Sequence, residues 1–235
     1  MKIKLFNKEL HLYRKFHTSD KIISLGTDCH AAYVLNGLKF RTISFPFDWL
    51  FSNSIKGLKL VNENIKHNFQ FFLADLEINE RNYIISKHYP YTEFFHEKNL
   101  IENESDRSRL KNRANKFLNY IDKNSCTFLY VINHDHIKNE DDINEFILYI
   151  NEFHQLTNYN HSLKIYVKCP TNVSEFQFID QLITKSNNIK NTKAVHYYLD
   201  TIKYGMWGNP KDYVHLLKSL DIKVKQSIVP EILLK

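Results

Sequence analysis

The stretch "KIISLGTDCHAAYVL", residues 21–35, decides how this chain is read. "KIISLG" is apolar and β-branched, as a buried strand is, and "HAAYVLNGL" has the spacing of a helix. Between them, a short turn holds the first glycine of the chain, Gly26, together with Asp28 and Cys29, one of three cysteines. A strand running through a tight turn into a helix is the first half of a βαβ unit. Three further apolar runs repeat the pattern: "TFLYVIN" (127–133), "LKIYVKC" (163–169) and "AVHYYL" (194–199). Helical spacing follows each of them, in "DDINEFILYINEFHQL", "VSEFQFIDQLITKS" and "NPKDYVHLLKSL". In the last, Asn209 is placed to cap and Pro210 to occupy the first helical position. The expectation is a single α/β domain over residues 1–235, with a mostly parallel, Rossmann-like sheet and helices on both faces. Residues 45–126 interrupt the rhythm and read as a mainly helical or irregular insertion, capping the carboxyl end of the first strand.

Composition narrows the function classes. Hydrophobic residues at 43% and charged residues at 25% suit a globular chain with a substantial core. The formal charge is +6, but lysines are scattered and "NEDDINE" interrupts them, so no basic face for nucleic acid is expected. Cys29, Cys126 and Cys169 are odd in number and lack CxxC spacing, which argues against a disulfide framework or a structural zinc site. No signal peptide and no apolar run long enough to span a membrane is read, giving the expectation of a reduced, cytoplasmic protein without a membrane span. Phosphate-loop, dinucleotide and GxSxG motifs are absent.

In an open parallel sheet, ligands bind beyond the carboxyl ends of the strands, where Cys29 falls. A helix N-terminus lowers a thiol pKa and offers N–H donors to a developing oxyanion, which is what a nucleophile needs. The competing reading is a small buried hydrophobe. Cys126 begins a strand, and Cys169 ends one without a glycine turn. Among twelve histidines, His134 in "VINHDH" ends the second strand at the same edge, beside Asp135 and His136, although such a cluster also suits a solvated loop. His88 and His96 lie in aromatic surroundings where a histidine is often packed. His30 abuts Cys29 but points away if the helix starts there. Asp48, in "FPFDWL", either orients a histidine as the third member of a triad or caps the following helix. Trp207, in "KYGMWGN", reads as a wall or a core residue.

These residues resemble a known family. Ser24, Leu25, Gly26, Cys29, Arg41, Ser44, Pro46, Phe47, Asp48 and Trp49 match the opening signature of the bacterial papain-like cysteine peptidases, a family named by inference whose members generally have no assigned substrate. Weaker similarity extends through "KHYPY", "NRANKFLNYI" and "MWGNPKDYVHLL". The resemblance implies a thiol-dependent hydrolase or acyl-transfer enzyme with Cys29 as nucleophile and favours His88 as base, whereas strand geometry favours His134. The Gly-x-x-Cys turn is also similar to that of cysteine-dependent capsule acetyltransferases. That likeness implies acyl transfer to a sugar or surface polysaccharide, with acetyl-CoA as cosubstrate; otherwise no cofactor or metal is expected. A cysteine after a first strand suits a Rossmann-like layout better than true papain, whose cysteine opens a long central helix. The expected partner is a small-molecule, sugar or peptide substrate. The remaining alternative is a non-catalytic binding or scaffold protein that keeps the turn for structure.

Overall fold

The computed structural model describes all residues except Met1, Phe6, Asn7, 172–175 and Lys235, and describes the backbone alone for the others of 2–12 and for 230–234. In chain order the elements are β1 (Lys2–Leu5), β2 (Lys8–Thr18), β3 (Ile22–Ser24), α1 (His30–Gly37), β4 (Phe51–Ser52), α2 (Ser54–Lys66), β5 (Leu76–Ile78), β6 (Ile84–Ser86) and β7 (Thr92–Glu93). They continue with α3 (Glu104–Lys123), β8 (Thr127–Asn133), α4 (Glu140–Leu156), β9 (Ser162–Pro170), α5 (Gln177–Asn187), β10 (Thr192–Leu199), α6 (Thr201–Tyr204), α7 (Tyr213–Ser219) and β11 (Val224–Leu234).

The four apolar runs become β3, β8, β9 and β10, and they form one parallel sheet in the order β10-β9-β8-β3. Ile22 pairs with Thr127 and Thr127 with Ser162, so the strands start level and their carboxyl ends form one edge. Each strand is added on the same side of the last. Right-handed crossovers then carry every connection over one face. Accordingly Phe128, Tyr130 and Ile132 of β8 pack with apolar residues of α2, α3, α4 and α5. Leu129 and Val131 point the other way, into a second cluster with α1 and α7. Helices thus cover both faces, as expected, but the opposite face is covered by α1 and α7 and not by an alternation of crossovers. The strand order does not reverse, unlike a doubly wound order, so the carboxyl edge is available at the edge strand β3 without a switch point.

Residues 45–126 hold α2 and α3, which join the sheet's own core, and two small antiparallel ladders, β4–β7 and β5–β6. The helix α2 is capped by Asn53, whose side chain accepts from Ile55 and Lys56 N–H at 3.0 and 3.2 Å. Asp48 therefore does not cap it. The expected helix over "NPKDYVHLLKSL" begins instead as a 3-10 turn at Pro210–Asp212, with Asn209 accepting from Lys211 N–H at 3.1 Å, before α7 follows. The start of "VSEFQFIDQLITKS" lies partly outside the described residues, and its helix runs over α5. A three-stranded antiparallel sheet, β1-β2-β11, pairs strands from near the two chain ends, and the sequence pattern gives no sign of it. No helix among the described residues is long and apolar enough to cross a membrane.

Candidate active site

The turn after β3 is held from below by polar groups of neighbouring strands. The Thr27 hydroxyl donates to Val131 O at 2.8 Å, and Leu25 N–H donates to Leu129 O at 2.9 Å, extending the β3–β8 ladder by one residue beyond Ser24. Gly26 is needed for close approach: a Cβ there would lie 2.6 Å from Phe47 O and 2.7 Å from Asp28 O. Gly57 of α2 is comparable, since its Cβ would meet Thr27 and Ser52 side chains at 2.7 Å. The turn has no room to move.

Asp28 is pinned inside this frame. One carboxylate oxygen accepts from His30 N–H at 2.8 Å; the other accepts from Lys168 Nζ at the end of β9 and, at 3.5 Å, from Asn133 Nδ2 at the end of β8. Burial alone would raise the carboxyl, but the Lys168 ammonium and these hydrogen bonds outweigh it and hold Asp28 below its ordinary range. The ends of β3, β8 and β9 thereby meet at one charged contact, as the common edge requires.

Cys29 follows as the N-cap of α1, with φ −73° and ψ −7°, and is half-buried, whereas Cys126 and Cys169 are buried. Its Sγ lies 3.3 Å from His96 Nε2. Burial, reinforced by the Asp28 charge and opposed by Lys168, pushes the thiol up to about 11. At neutral pH Cys29 is therefore held as a thiol within hydrogen-bonding reach of His96. The helix N-terminus does not by itself produce a thiolate. His96 stands in a turn between β7 and α3, edge-on to Trp49 at 5.6 Å and to Phe95 at 5.1 Å between ring centroids.

Asp48 is 1% exposed, and its carboxylate is fully occupied. It accepts from Ser24 Oγ, from Arg41 Nε and Nη2 at 3.0 and 2.7 Å, and from Phe45 N–H at 2.9 Å. Among the described residues no histidine bonds to it. Its effect on the site is indirect: Arg41 lies 5.1 Å over the Trp49 ring, and Trp49 abuts His96.

The other predicted residues lie apart from the thiol. His88 bonds to Asp75 at 2.9 Å and packs on Phe71, with ring centroids 4.7 Å apart. His134 opens a 3-10 turn and packs edge-on to Phe176. His136 Nδ1 accepts from Ser54 N–H at 3.0 Å, so its Nε2 carries the proton. His30 turns away, as expected from its place in α1: Nε2–H donates to Trp207 O at 3.1 Å and Nδ1 accepts from Tyr166 OH at 2.7 Å. Its burial, with Lys168 nearby, depresses it to about 4. Trp207 stacks on Tyr33 at 4.2 Å and is therefore a wall of α1.

The geometry brings together Cys29 and His96, with Asp48 and Trp49 behind the histidine, and leaves His88 and His134 with other partners. In the sequence alone His96 reads as a packed histidine, because its neighbours in "YTEFFHEK" are aromatic. In the structure Trp49 and Phe95 flank His96, which is itself exposed, edge-on. No group of three or more His, Cys, Asp or Glu among the described residues is arranged to hold a metal ion.

Neither the curated proteins nor the solved structures contain a match to this chain. A family model does match, over residues 20–200, a span that runs from the strand before Cys29 to the end of β10 and includes Cys29, Asp48 and His96. The chain belongs to the family described as "Putative papain-like cysteine peptidase".

Proposed function

We propose that this protein is a cysteine hydrolase that works by acyl transfer, with Cys29 as nucleophile and His96 as its base. The observation that supports this reading is the 3.3 Å separation of Cys29 Sγ and His96 Nε2 at the start of a helix. Since the resting thiol is protonated, the first step couples two events. His96 Nε2 takes the thiol proton as Sγ attacks the substrate carbonyl carbon. The carbonyl π electrons move onto oxygen, where the positive end of α1 stabilises the charge. Collapse expels the leaving group, which takes its proton from His96, and leaves a thioester on Cys29. Water, deprotonated by the same imidazole, then attacks the thioester carbonyl; the C–S bond breaks, the carboxylic acid leaves, and the Cys29 sulfur takes the proton back from His96. Asp48 enters only through Arg41 and Trp49, as a brace for the imidazole.

An acyl p-nitrophenyl ester tests this directly. The wild type should show a burst of p-nitrophenolate matched by an acyl adduct on the Cys29 peptide. Cys29→Ala should abolish both, and His96→Ala should slow acylation by about 10²–10⁴. An adduct that forms equally in Cys29→Ala would overturn the reading.

A further inference from the structure

In a thiol–histidine pair the imidazole must be held in place, and a misplacement of about 1 Å can cost on the order of a hundredfold in rate. Among the described residues, nothing hydrogen-bonds His96 Nδ1, so no third group orients the ring in the manner of a triad. The segment that carries it, between β7 and α3, has neither strand nor helix to stiffen it. Trp49 and Phe95 flank the exposed ring, and Phe94 N–H, donating to Ile84 O at 2.9 Å, holds the backbone on its β7 side. The next residue, Glu97, ties it to α3.

Glu97 is 13% exposed, and each of its carboxylate oxygens meets a different guanidinium of α3: Oε2 accepts from Arg109 Nη2 at 2.5 Å and Oε1 from Arg113 Nη1 at 3.5 Å. These arginines are four residues apart and so share one helix face. Arg109 is itself steadied by Asp106 at 2.8 Å. The helix beneath them is rigidly seated, because Leu110, Ala114, Phe117 and Ile121 are buried. The segment is thus tied to a core helix at the residue adjoining the imidazole, through groups near enough to the surface for salt to reach them.

We propose that Glu97 is a positioning residue whose carboxylate, gripped by Arg109 and Arg113, latches the His96 segment onto α3 and keeps Nε2 within reach of Cys29 Sγ. The inference rests on the Cys29–His96 reading. It adds that assembly of the pair is electrostatic and therefore depends on ionic strength.

Iodoacetamide alkylation of Cys29, followed by mass spectrometry across neutral and alkaline pH, requires no known substrate. Glu97→Ala and the size-conserving Glu97→Gln should each slow alkylation at neutral pH by roughly tenfold. Their pH profiles should move toward that of His96→Ala, while the melting temperature stays near the wild-type value. High salt should slow the wild type and leave Glu97→Gln unchanged. Reversing the pair, as Glu97→Arg with Arg109→Glu and Arg113→Glu, should restore part of the rate lost in Glu97→Arg alone. If His96→Ala slows alkylation but both Glu97 variants keep the wild-type rate and profile, the latch is overturned and the pair stands. If His96→Ala itself has no effect, the pair is wrong and the latch falls with it.

Discussion

The two halves of the proposed site are held by different physics. The Cys29 turn is fixed by the sheet: Thr27 and Asp28 bond to β8, β9 and the start of α1, and Gly26 leaves no space for rearrangement. The His96 segment lies outside that sheet: Phe94 N–H donates to Ile84 O at 2.9 Å and Glu97 N–H to Phe94 O at 3.1 Å, and beyond these turn bonds it is held by side chains, with two aromatic edges and the Glu97 carboxylate between arginines. The nucleophile therefore belongs to the fold, whereas the base is delivered to it. Substitutions near the thiol should cost global stability, and substitutions near the imidazole should cost reactivity with little change in stability.

The largest effect expected from this contrast is at Lys168. Lys168 and Asp28 are each 13% exposed, and Lys168→Met would strand the Asp28 carboxylate with only the His30 amide and Asn133 as partners. Urea denaturation should show a loss of about 3 kcal/mol, since removing one member of a buried pair leaves an uncompensated charge. A loss well below 1 kcal/mol would mean that the turn is not anchored through this contact. A smaller loss, ~2 kcal/mol, is expected for Asp48→Asn, which exchanges charge-assisted bonds from Arg41 for weaker ones. Asp48→Asn also sharpens the contrast, because it reaches His96 through Arg41 and Trp49 and should lower Cys29 alkylation as well. Stability lost without any loss of alkylation would confine Asp48 to the fold.

The same contrast explains what the sequence discloses. The strands of the parallel sheet are buried on both faces, so β3, β8, β9 and β10 appear as apolar runs close to their observed limits. The Gly26–Cys29 turn follows from them, since a glycine and a cysteine between strand and helix have a defined place in such a sheet. β2 is rich in charged and polar residues, and β11 carries Lys225, Gln226 and Ser227 near its start and Pro230 within it, so neither shows that mark. His96 was hidden for a related reason. It is 67 residues from Cys29 in the chain, in a segment without periodicity, and only the packing of α3 and Trp49 brings it to the thiol. His88 sits in equally aromatic sequence and ends against Asp75 and Phe71, so composition alone does not separate the two. The signal that does separate them is the acidic residue beside His96, faced by Arg109 and Arg113 at helical spacing.

The central claim is that His96, and no other histidine, governs the Cys29 thiol, and the pH dependence of Cys29 alkylation tests it most directly. With burial and Asp28 pushing the thiol to about 11, the isolated group should react slowly until strongly alkaline pH, and any reactivity at neutral pH should come from proton transfer to His96. The wild type and His88→Ala should therefore share a neutral-pH phase of alkylation that His96→Ala lacks, while all three converge at alkaline pH. A neutral phase that survives His96→Ala, or one that disappears in His88→Ala, would contradict the account.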